Sequence, residues 1–551
     1  MLAQLKSQLQ THLQESLKES YPQHKLLLPA VELDHSADKI HGEFSCNIAL
    51  KSSKILGKSP LDSANEFVQI FQKFLSASSL KEKIAKIEVK KPGFINFFLT
   101  PAAFYDVILE IFKEDKKYGS SPMGEGRKIL IEFVSANPTG PLTIAHARQA
   151  SVGDALAHIF NFLGFKVDRE YFVNDEGNQI NILGRSLECR VRELLGESVI
   201  FPEDGYQGGY IKDMAQVYLE KNKIKSPGNF SEFGVDYLME VIKKDLEDFR
   251  VRFENWAYQS KVATKENIEA IFDYLKKKGF LYEKEGALWF KSTGFGDDKD
   301  RVVEKSDGSY TYLAPDMVYH KNKFERGFDK LINIWGPDHH GYIPRMKAFV
   351  EALGEKKEAL EILIVQLATL YKEGNAVSMS TRRGQFVTLR EVIDEVGVDA
   401  ARFFFLMRHI DAHLDFDLEL AKKESPENPV YYIQYAHARI HSIDKKAKEI
   451  GLKPKMSNFQ WLKEEKELDL IKNLGMFPDI LVFCYEQMDP YPLVSFLLEA
   501  ATSFHKFYDQ HRVVDEAQMD VSSERLSLCH ATKTVLANGL RLLGLSTPEK
   551  M

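Results

Sequence analysis

Residues 128–148 read KILIEFVSANPTGPLTIAHAR, and this segment changes its pattern along its length. Residues 128–134 are almost continuously apolar, which is typical of a strand buried within a parallel sheet. Pro138, Gly140 and Pro141 then follow and cannot continue the strand. The segment therefore predicts a buried strand that ends in a sharp turn.

A helix and a second strand are predicted after this turn. Apolar residues recur at helical spacing from Val152 to Leu163, and Gly164 ends the helix. Residues 166–172 then have the pattern of another strand. A strand, a helix and a strand within about 45 residues are the opening of a doubly wound sheet.

The parallel-sheet pattern returns much later in the chain. It resumes at residues 331–336 and again at 362–371, whereas residues from about 180 to 300 are looser and more polar. Strand patterns then disappear beyond about residue 420. They are replaced there by amphipathic patterns that predict helices at 430–443, 468–482 and 493–513.

These patterns predict a multidomain α/β protein. Its centre is a split, doubly wound, Rossmann-like parallel sheet, flanked by an N-terminal α+β domain and a C-terminal all-α bundle. The predicted boundaries are 1–118 for the N-terminal domain, 119–180 and 301–423 for the two halves of the sheet domain, 181–300 for an insertion, and 424–551 for the bundle.

Composition excludes several classes of protein. The formal net charge of −7 argues against a protein that coats nucleic acid indiscriminately. The four cysteines lie far apart, so neither a zinc site nor a disulfide framework is expected. Residues 1–30 carry leucines at helical spacing instead of a continuous apolar segment. We therefore expect a cytoplasmic protein without a membrane segment.

A phosphate-binding element is expected where the first helix begins. His146 lies in its first turn, and a helix N-terminus offers free backbone N–H groups to phosphates. Residues 143–146, TIAH, resemble the His-Ile-Gly-His signature of the class I aminoacyl-tRNA synthetases, and the flanking SANPTGPL and VND resemble bacterial arginyl-tRNA synthetases in particular. The resemblance implies ATP binding by Thr143, Ala145 and His146, with His146 catalytic.

The second signature of this class, Lys-Met-Ser-Lys, corresponds to the sequence SMSTRRG at 378–384. Both lysines are absent, and two arginines follow immediately. Charge develops on the departing pyrophosphate and must be neutralised by some cation. Arg382 is the first candidate for this catalytic role, ahead of Arg383 and Lys372. The resemblance also assigns Met379, Ser380, Arg382 and Arg383 to ATP binding.

Arginine recognition requires acceptors for a planar cation, which carboxylates supply best. The resemblance places the guanidinium beside Glu132, Tyr312 and Asp316, and the α-amino group beside Asn137. It places Asp338 near the amino acid and His339 near adenosine. Asp338-His339-His340 consists of residue types that bind metals, but adjacent residues rarely converge on one ion, so no resident metal is expected.

Residues 428–440, in the predicted bundle, are rich in aromatic side chains, which stack on unpaired bases. A tyrosine stripe on a helix is more often part of a core than a base platform. This segment nevertheless resembles the anticodon-binding domain of the same enzymes, which implies tRNA contacts by Tyr431, Tyr435, Arg439 and Met551. Residues 41–43 and 92–97 resemble the N-terminal domain that touches the tRNA elbow.

The resemblance implies a function with three substrates. The chain would use ATP with Mg²⁺ to convert L-arginine to arginyl adenylate, and would transfer the arginyl group to tRNA-Arg, with bound tRNA needed for the first step. A monomer is expected. Two alternatives stay open: a tRNA-binding paralogue that has lost catalysis, and a class I synthetase for another amino acid or a related adenylate-forming ligase.

Overall fold

The N-terminal region folds into a small α+β unit. The computed structural model describes residues 2–36, 38–76, 78–222, 229–377 and 386–551. The first elements are α1 (Leu2–Ser20), β1 (Leu33–His35), β2 (Phe44–Cys46), α2 (Ile48–Leu56), α3 (Pro60–Leu75), β3 (Ile84–Lys90), β4 (Phe94–Leu99) and α4 (Pro101–Glu114). The four strands pair antiparallel in the order β1-β2-β4-β3. Phe71 of α3 meets Phe97 of β4 edge to face, which joins helix to sheet.

The middle of the chain alternates strands and helices, as the sequence predicts. Its elements are β5 (Lys128–Glu132), α5 (Ile144–Phe162), β6 (Lys166–Val173), α6 (Asn178–Leu194), α7 (Gly209–Asn222), α8 (Phe230–Asp248), β7 (Asn255–Tyr258), α9 (Gln259–Val262), α10 (Lys265–Lys277), β8 (Leu281–Lys284), β9 (Ala287–Phe290), β10 (Arg301–Glu304), α11 (Leu313–Glu325), β11 (Lys330–Trp335), α12 (Ile343–Ala352), β12 (Leu360–Ile364), β13 (Ala368–Lys372), β14 (Asn375–Ala376), α13 (Leu389–Phe405), β15 (Leu414–Asp417) and α14 (Leu418–Lys422). Helix α13 is kinked at Gly397, where φ is 78°.

The central sheet has five parallel strands in the order β12-β11-β5-β6-β7. The chain leaves β5 toward β6 on one side and returns to β11 on the other, so a crevice forms where the strand order reverses. This confirms the split, doubly wound sheet. Strand β7 comes from within 181–300, so the range that the sequence assigned to an insertion also supplies an edge strand of the sheet.

Helix α5 packs unusually closely on the sheet. A Cβ atom at Gly153 would lie 2.3 Å from the ring of Phe133, so only glycine allows this approach. This close contact holds the N-terminus of α5 against the crevice, where His146 lies.

The structure also contains two smaller sheets, with the strand orders β10-β9-β8 and β14-β13-β15.

The C-terminal region is helical, as predicted. It consists of α15 (Pro429–Glu449), α16 (Glu465–Gly475), α17 (Phe477–Gln487), α18 (Tyr491–Gln510) and α19 (Met519–Leu542). The single helix expected over 468–482 is wrong, because Pro478 lies in the first turn of α17 and restarts the helix there. None of the described helices combines the length and the apolar character needed to cross a bilayer.

The helical region packs directly on the central sheet domain. Arg402 of α13 is fully buried, and its guanidinium donates to Asp154 Oδ2 of α5 (2.6 Å) and to the carbonyl oxygen of Leu543 (3.1 Å). Asn538 of α19 donates to the carbonyl oxygen of Asp115 (2.9 Å). One continuous core therefore runs through the N-terminal, central and C-terminal parts.

Candidate active site

A cavity of about 580 Å³ opens in the crevice at the carboxyl ends of β5, β6 and β11. Both halves of the split sheet contribute to its walls. The predicted residues that line it are Glu132, Asn137, Ala145, His146, Tyr312, Asp316, Asp338 and His339. Residues separated by up to about two hundred positions in the chain thus meet at one place, which is where open parallel sheets bind their ligands.

A row of polar residues, one from each of four adjacent strands, crosses the sheet beside the cavity. Asn333 of β11 is aligned with Glu132 of β5, Glu132 with Glu170 of β6, and Glu170 with Asn255 of β7. Aligned residues of parallel strands point to the same face of the sheet. Glu132, Glu170 and Asn333 are buried, so this row must be paired internally.

Helix α11 covers the row and supplies its partners. Arg326 binds both carboxylate oxygens of Glu170 (2.6 and 2.9 Å), and Tyr319 Oη donates to Oε1 (2.7 Å). Burial acts to raise the pKa of Glu170, but the bonds from Arg326 and the charge of Lys323 outweigh it and hold that pKa below its ordinary value. Glu170 is therefore ionised and fully engaged within the protein.

Glu132 is held from two sides. Lys323 Nζ donates to Oε2 (2.5 Å), and Ser135 Oγ donates to Oε1 (3.0 Å). Val134 and Ser135 adopt positive φ angles of 68° and 39°. Such angles are uncommon for residues other than glycine and rarest for a β-branched residue such as Val134. This turn after β5 places the Ser135 hydroxyl against the carboxylate, which still faces the cavity.

Asp316 faces the same part of the cavity from the first turn of α11. Tyr342 Oη donates to Asp316 Oδ2 (2.7 Å). Burial and the negative charge of Glu132 raise the pKa of Asp316 to about 7, while the bond from Tyr342 and the charge of Lys323 act in the opposite direction. The carboxylates of Glu132 and Asp316 thus line the same part of the cavity, and the neighbouring cations do not fully neutralise their negative charge.

Tyr312 lies at the mouth of the cavity. It is 80% exposed, unlike the two acidic residues. The tyrosine that contacts Asp316 is Tyr342, which the sequence did not single out.

His146 meets the cavity at the N-terminus of α5. The backbone N–H of Thr143 donates to His146 Nδ1 (3.1 Å), so the neutral ring carries its proton on Nε2. Burial lowers the pKa of His146 to about 4, despite the opposing charge of Asp338. His146 is therefore a neutral hydrogen-bond donor near pH 7 and does not serve as a general acid at that pH.

Asn137, Asp338 and His339 are the remaining predicted polar side chains that line the cavity. Asn137 Nδ2 donates to Gln179 Oε1 (2.8 Å). Asp338 and His339 form a pair at 3.4 Å, with side chains that are 79% and 57% exposed. These two residues lie in the short 3-10 helix Pro337–Tyr342 that follows β11, and neither is packed into the core.

The residues of the second signature, Met379, Ser380, Arg382 and Arg383, lie outside the described residues. The described chain rejoins at residue 386, and Thr388 forms a β-bridge with Thr143 of the first signature. The backbone N–H of Leu389 also donates to the carbonyl oxygen of Leu142 (2.8 Å). Lys372, on the other flank, pairs with Glu395 at 3.1 Å.

Arg148 ties α5 to the far wall of the cavity. It is fully buried, and its guanidinium donates to the carbonyl oxygens of Gln366 (2.7 Å), His409 (2.9 Å) and Ala412 (2.9 Å). Gln366 lines the cavity. No role for Arg148 could be predicted from the sequence. Its hydrogen bonds connect the first signature to the loops after β12 and α13.

Predicted tRNA contacts gather on one face of α15. The rings of Tyr431 and Tyr435 are stacked with centroids 6.0 Å apart, and Arg439 donates to Tyr435 Oη (2.9 Å) while lying over the ring of Tyr508. None of these four side chains is fully buried. Met551 is 49% exposed at the end of a tail that binds α15 through Gln434 and His437.

Several residues that shape the cavity were missed. Lys323 and Tyr342 carry no sequence signal of their own, because one lysine or tyrosine among many gives no hint of burial. Glu170 lies in a strand rich in charged residues, and Ser135 was recognised only as part of the SANPTGPL segment. Asn333, a polar residue inside the apolar strand β11 at the level of Glu132, is the signal that could have indicated a buried row.

Family models match almost the whole chain in three consecutive parts. The arginyl-tRNA synthetase N-terminal domain matches residues 7–99, the catalytic domain of class I arginine tRNA synthetases matches 107–408, and the DALR anticodon-binding domain matches 433–551. The second match alone covers more than half of the chain.

Individual relatives agree with these matches. The chain is 45% identical to the arginine–tRNA ligase of Bacillus velezensis over 95% of each sequence, and 44% identical to arginine–tRNA ligase 1 of Halalkalibacterium halodurans over 100% of each. Among solved structures, one from Campylobacter jejuni reported as an arginyl-tRNA synthetase has a TM-score of 0.76 at 36% identity, covering 82% of this chain and 100% of that one.

Proposed function

This chain belongs to the arginyl-tRNA synthetases of class I, and we propose that the cavity at the carboxyl ends of its parallel sheet is where it activates arginine. The observation that carries this proposal is the approach of Glu132 and Asp316 to one volume within that cavity. Two carboxylates with incomplete compensation are suited to a planar cation with several donors. A neutral amino acid would leave them uncompensated.

Arginine would lie with its guanidinium between Glu132 and Asp316 and its α-amino group toward Asn137. Tyr312, at the mouth, would close over the side chain, and Asp338 would complete the contacts to the amino acid. This orientation points the arginine carboxylate toward the start of α5. Each carboxylate has a fixed rotamer before arginine enters, because Ser135 and Tyr342 already bind them, and such preorganisation limits the entropy lost on binding.

ATP, supplied with Mg²⁺ bound to its phosphates, would occupy the end of the cavity near Thr143, Ala145 and His146. His339 would contact adenosine, and the small side chain of Ala145 leaves room for the base. The Nε2–H of His146 would donate to a phosphate oxygen. Its role is to orient and stabilise, since a neutral ring with a pKa of about 4 does not act as an acid at pH 7.

In the first step, a carboxylate oxygen of arginine bonds to the α-phosphorus as the bond to pyrophosphate breaks. Arg382 would neutralise the charge that develops on the leaving group, and Met379, Ser380 and Arg383 of the same segment would bind ATP. In the second step, a hydroxyl of the terminal tRNA adenosine bonds to the arginyl carbonyl carbon, and AMP leaves. No side-chain nucleophile takes part in either step.

The C-terminal bundle, residues 424–551, would bind the anticodon through Tyr431, Tyr435, Arg439 and Met551. Residues 1–118 would touch the tRNA elbow, and 119–180 with 301–423 would form the catalytic domain around the 181–300 insertion. We also propose that the enzyme acts as a monomer in the cytoplasm. Its four cysteines are free thiols, which suits a reducing compartment.

Steady-state arginylation of tRNA-Arg by the full chain with ATP tests the function. We expect arginine to be attached and the other amino acids to be rejected. Binding of tRNA without attachment would instead identify a paralogue that has lost catalysis. Attachment of a different amino acid would overturn the assignment of the pocket to a guanidinium.

A further inference from the structure

The buried lysine beneath the arginine pocket has an unusual environment. Lys323 lies in the last turn of α11 with no exposed surface, and its Nζ donates to Glu132 Oε2 (2.5 Å) and to Asn333 Oδ1 (3.1 Å). The ammonium also lies 4.1 Å from the centroid of the Tyr319 ring. A buried ammonium is costly to desolvate unless it is paired, so this one is committed to Glu132.

The charges around the pocket can be compared directly. In the row of polar residues and α11, Glu132, Glu170 and Asp316 supply three carboxylates, while Lys323 and Arg326 supply two cations. Asp338 and Glu176 also line the cavity, but both are exposed to solvent. Within the row and α11, one negative charge is left over when all three acids are ionised, and a single guanidinium would bring this set to neutrality.

The other groups that face Asp316 are uncharged. Tyr342 donates to it from the short 3-10 helix after β11, and His320, one turn further along α11, donates its Nδ1–H to the carbonyl oxygen of Asp316 (2.9 Å). Burial and the charge of Lys323 lower the pKa of His320 to about 3, so its ring is neutral. Lys323 is thus the cation that touches Glu132.

We propose that Lys323 is a positioning and specificity-determining residue for arginine: it fixes the Glu132 carboxylate and reduces the charge of the pocket to the value that one guanidinium neutralises. This inference rests on the proposed function, because it requires the guanidinium to lie beside Glu132. Lys323 acts through Glu132 and does not touch arginine.

This arrangement makes an unusual prediction about paired substitutions. In Glu132→Gln, the Lys323 ammonium loses its charged partner and faces the guanidinium, so attraction is lost and repulsion is added. Removing the lysine as well, in Glu132→Gln/Lys323→Met, removes that repulsion. The double variant should therefore bind arginine better than Glu132→Gln alone, which two independent losses of packing would not produce.

The experiment measures the KM for arginine and for ATP in pyrophosphate exchange, with saturating tRNA, for Glu132→Gln, Lys323→Met and the double variant. We expect the arginine KM to rise at least tenfold in Glu132→Gln and to be at least threefold lower in the double variant than in Glu132→Gln. Lys323→Met alone should raise it, because repulsion between the two carboxylates then favours the protonated form of one of them, which removes a charged acceptor for the guanidinium. The ATP KM should change less than twofold throughout.

Lys330→Met is the matched control. Lys330 is a half-buried lysine at the amino end of β11, away from the cavity, so its substitution should leave the arginine KM unchanged. The double variant has no unpaired buried charge, so it should fold even where Lys323→Met does not. A double variant with an arginine KM equal to or above that of Glu132→Gln would overturn the role of Lys323 alone. An unchanged arginine KM in Glu132→Gln would overturn the pocket itself, and the inference with it.

Discussion

The two ends of the catalytic cavity are constructed differently. At the arginine end, Glu132 and Asp316 project from a strand and a helix and are held by Ser135, Lys323 and Tyr342. At the ATP end, the start of α5 and a short 3-10 helix carry the side chains, and His339 is largely exposed. The arginine end is thus shaped before substrate arrives, whereas the ATP end is built partly from an exposed side chain.

This difference implies two kinds of mutational response. Substitutions at the preformed end should change ground-state affinity for arginine and appear in KM. Substitutions at the ATP end should weaken the stabilisation of charge that develops in the transition state, and should appear in kcat. If substitutions at both ends changed the same kinetic constant, the two ends would not differ in this way.

The largest effect is expected at the ATP end, from Arg382→Ala. Loss of the cation that we propose neutralises the departing pyrophosphate should slow adenylate formation by about 10² to 10³, the range for removing one preorganised donor. The arginine KM should barely change. Pyrophosphate exchange with saturating tRNA measures both quantities.

Arg383→Ala is the control for the general charge of that segment, and it should cost less than Arg382→Ala. A wild-type rate for Arg382→Ala would contradict the assignment and would shift the role to Lys372. That lysine already pairs with Glu395, so it would have to exchange partners to act.

The corresponding test at the arginine end is Asp316→Asn. Removing one charged acceptor of a buried guanidinium pair costs about 2 to 5 kcal/mol, so the arginine KM should rise about 100-fold. The ATP KM should stay within about twofold. Equal changes in the two KM values would show that the two ends are not separate.

A substitution remote from both ends of the cavity should change neither the KM for arginine nor the KM for ATP. Tyr431→Ala removes one member of the stacked pair on α15, and loss of one base-stacking ring should lower kcat/KM for tRNA-Arg by about tenfold. Aminoacylation with varied tRNA measures this, with arginine and ATP saturating. Tyr371→Ala, on β13 away from α15, is the control, and an equal loss there would refute the assignment of that face.

The smallest effect is expected from a change of pH, which should alter the arginine KM but not the ATP KM. The pKa of Asp316 is raised to about 7, so its ionised form, which is proposed to bind the guanidinium, increases about tenfold as pH rises from 6 to 8. The arginine KM should therefore fall by no more than about tenfold over this range. The pKa of His146 is lowered to about 4, so the contribution of His146 to ATP binding should not change. A parallel change in the ATP KM would contradict this distinction.

The sequence predicted the fold well because periodicity reports burial directly. The strand at 128–134 and the helix that ends at Gly164 are both present. The edge strand β7 was missed because four residues with two aromatic rings resemble many loops. One helix was predicted where α16 and α17 form two, although Pro478 marked the division.

The site was predictable only in part. Glu132, Asp316 and His146 were identified by resemblance, and the structure brings them to one cavity. The residues that determine how those groups behave, Lys323 and Tyr342, depend on the register of the strands and on which face of α11 is covered. Short-range sequence patterns contain neither kind of information.

The most direct test of the account is ATP–pyrophosphate exchange by the full chain with arginine or with citrulline, its neutral analogue of nearly the same shape, in the presence and absence of tRNA-Arg. The account predicts exchange with arginine when tRNA is bound, and at least about 10³-fold less with citrulline, because both carboxylates would lose their cation. Comparable exchange with the two amino acids, or none with arginine, would contradict it.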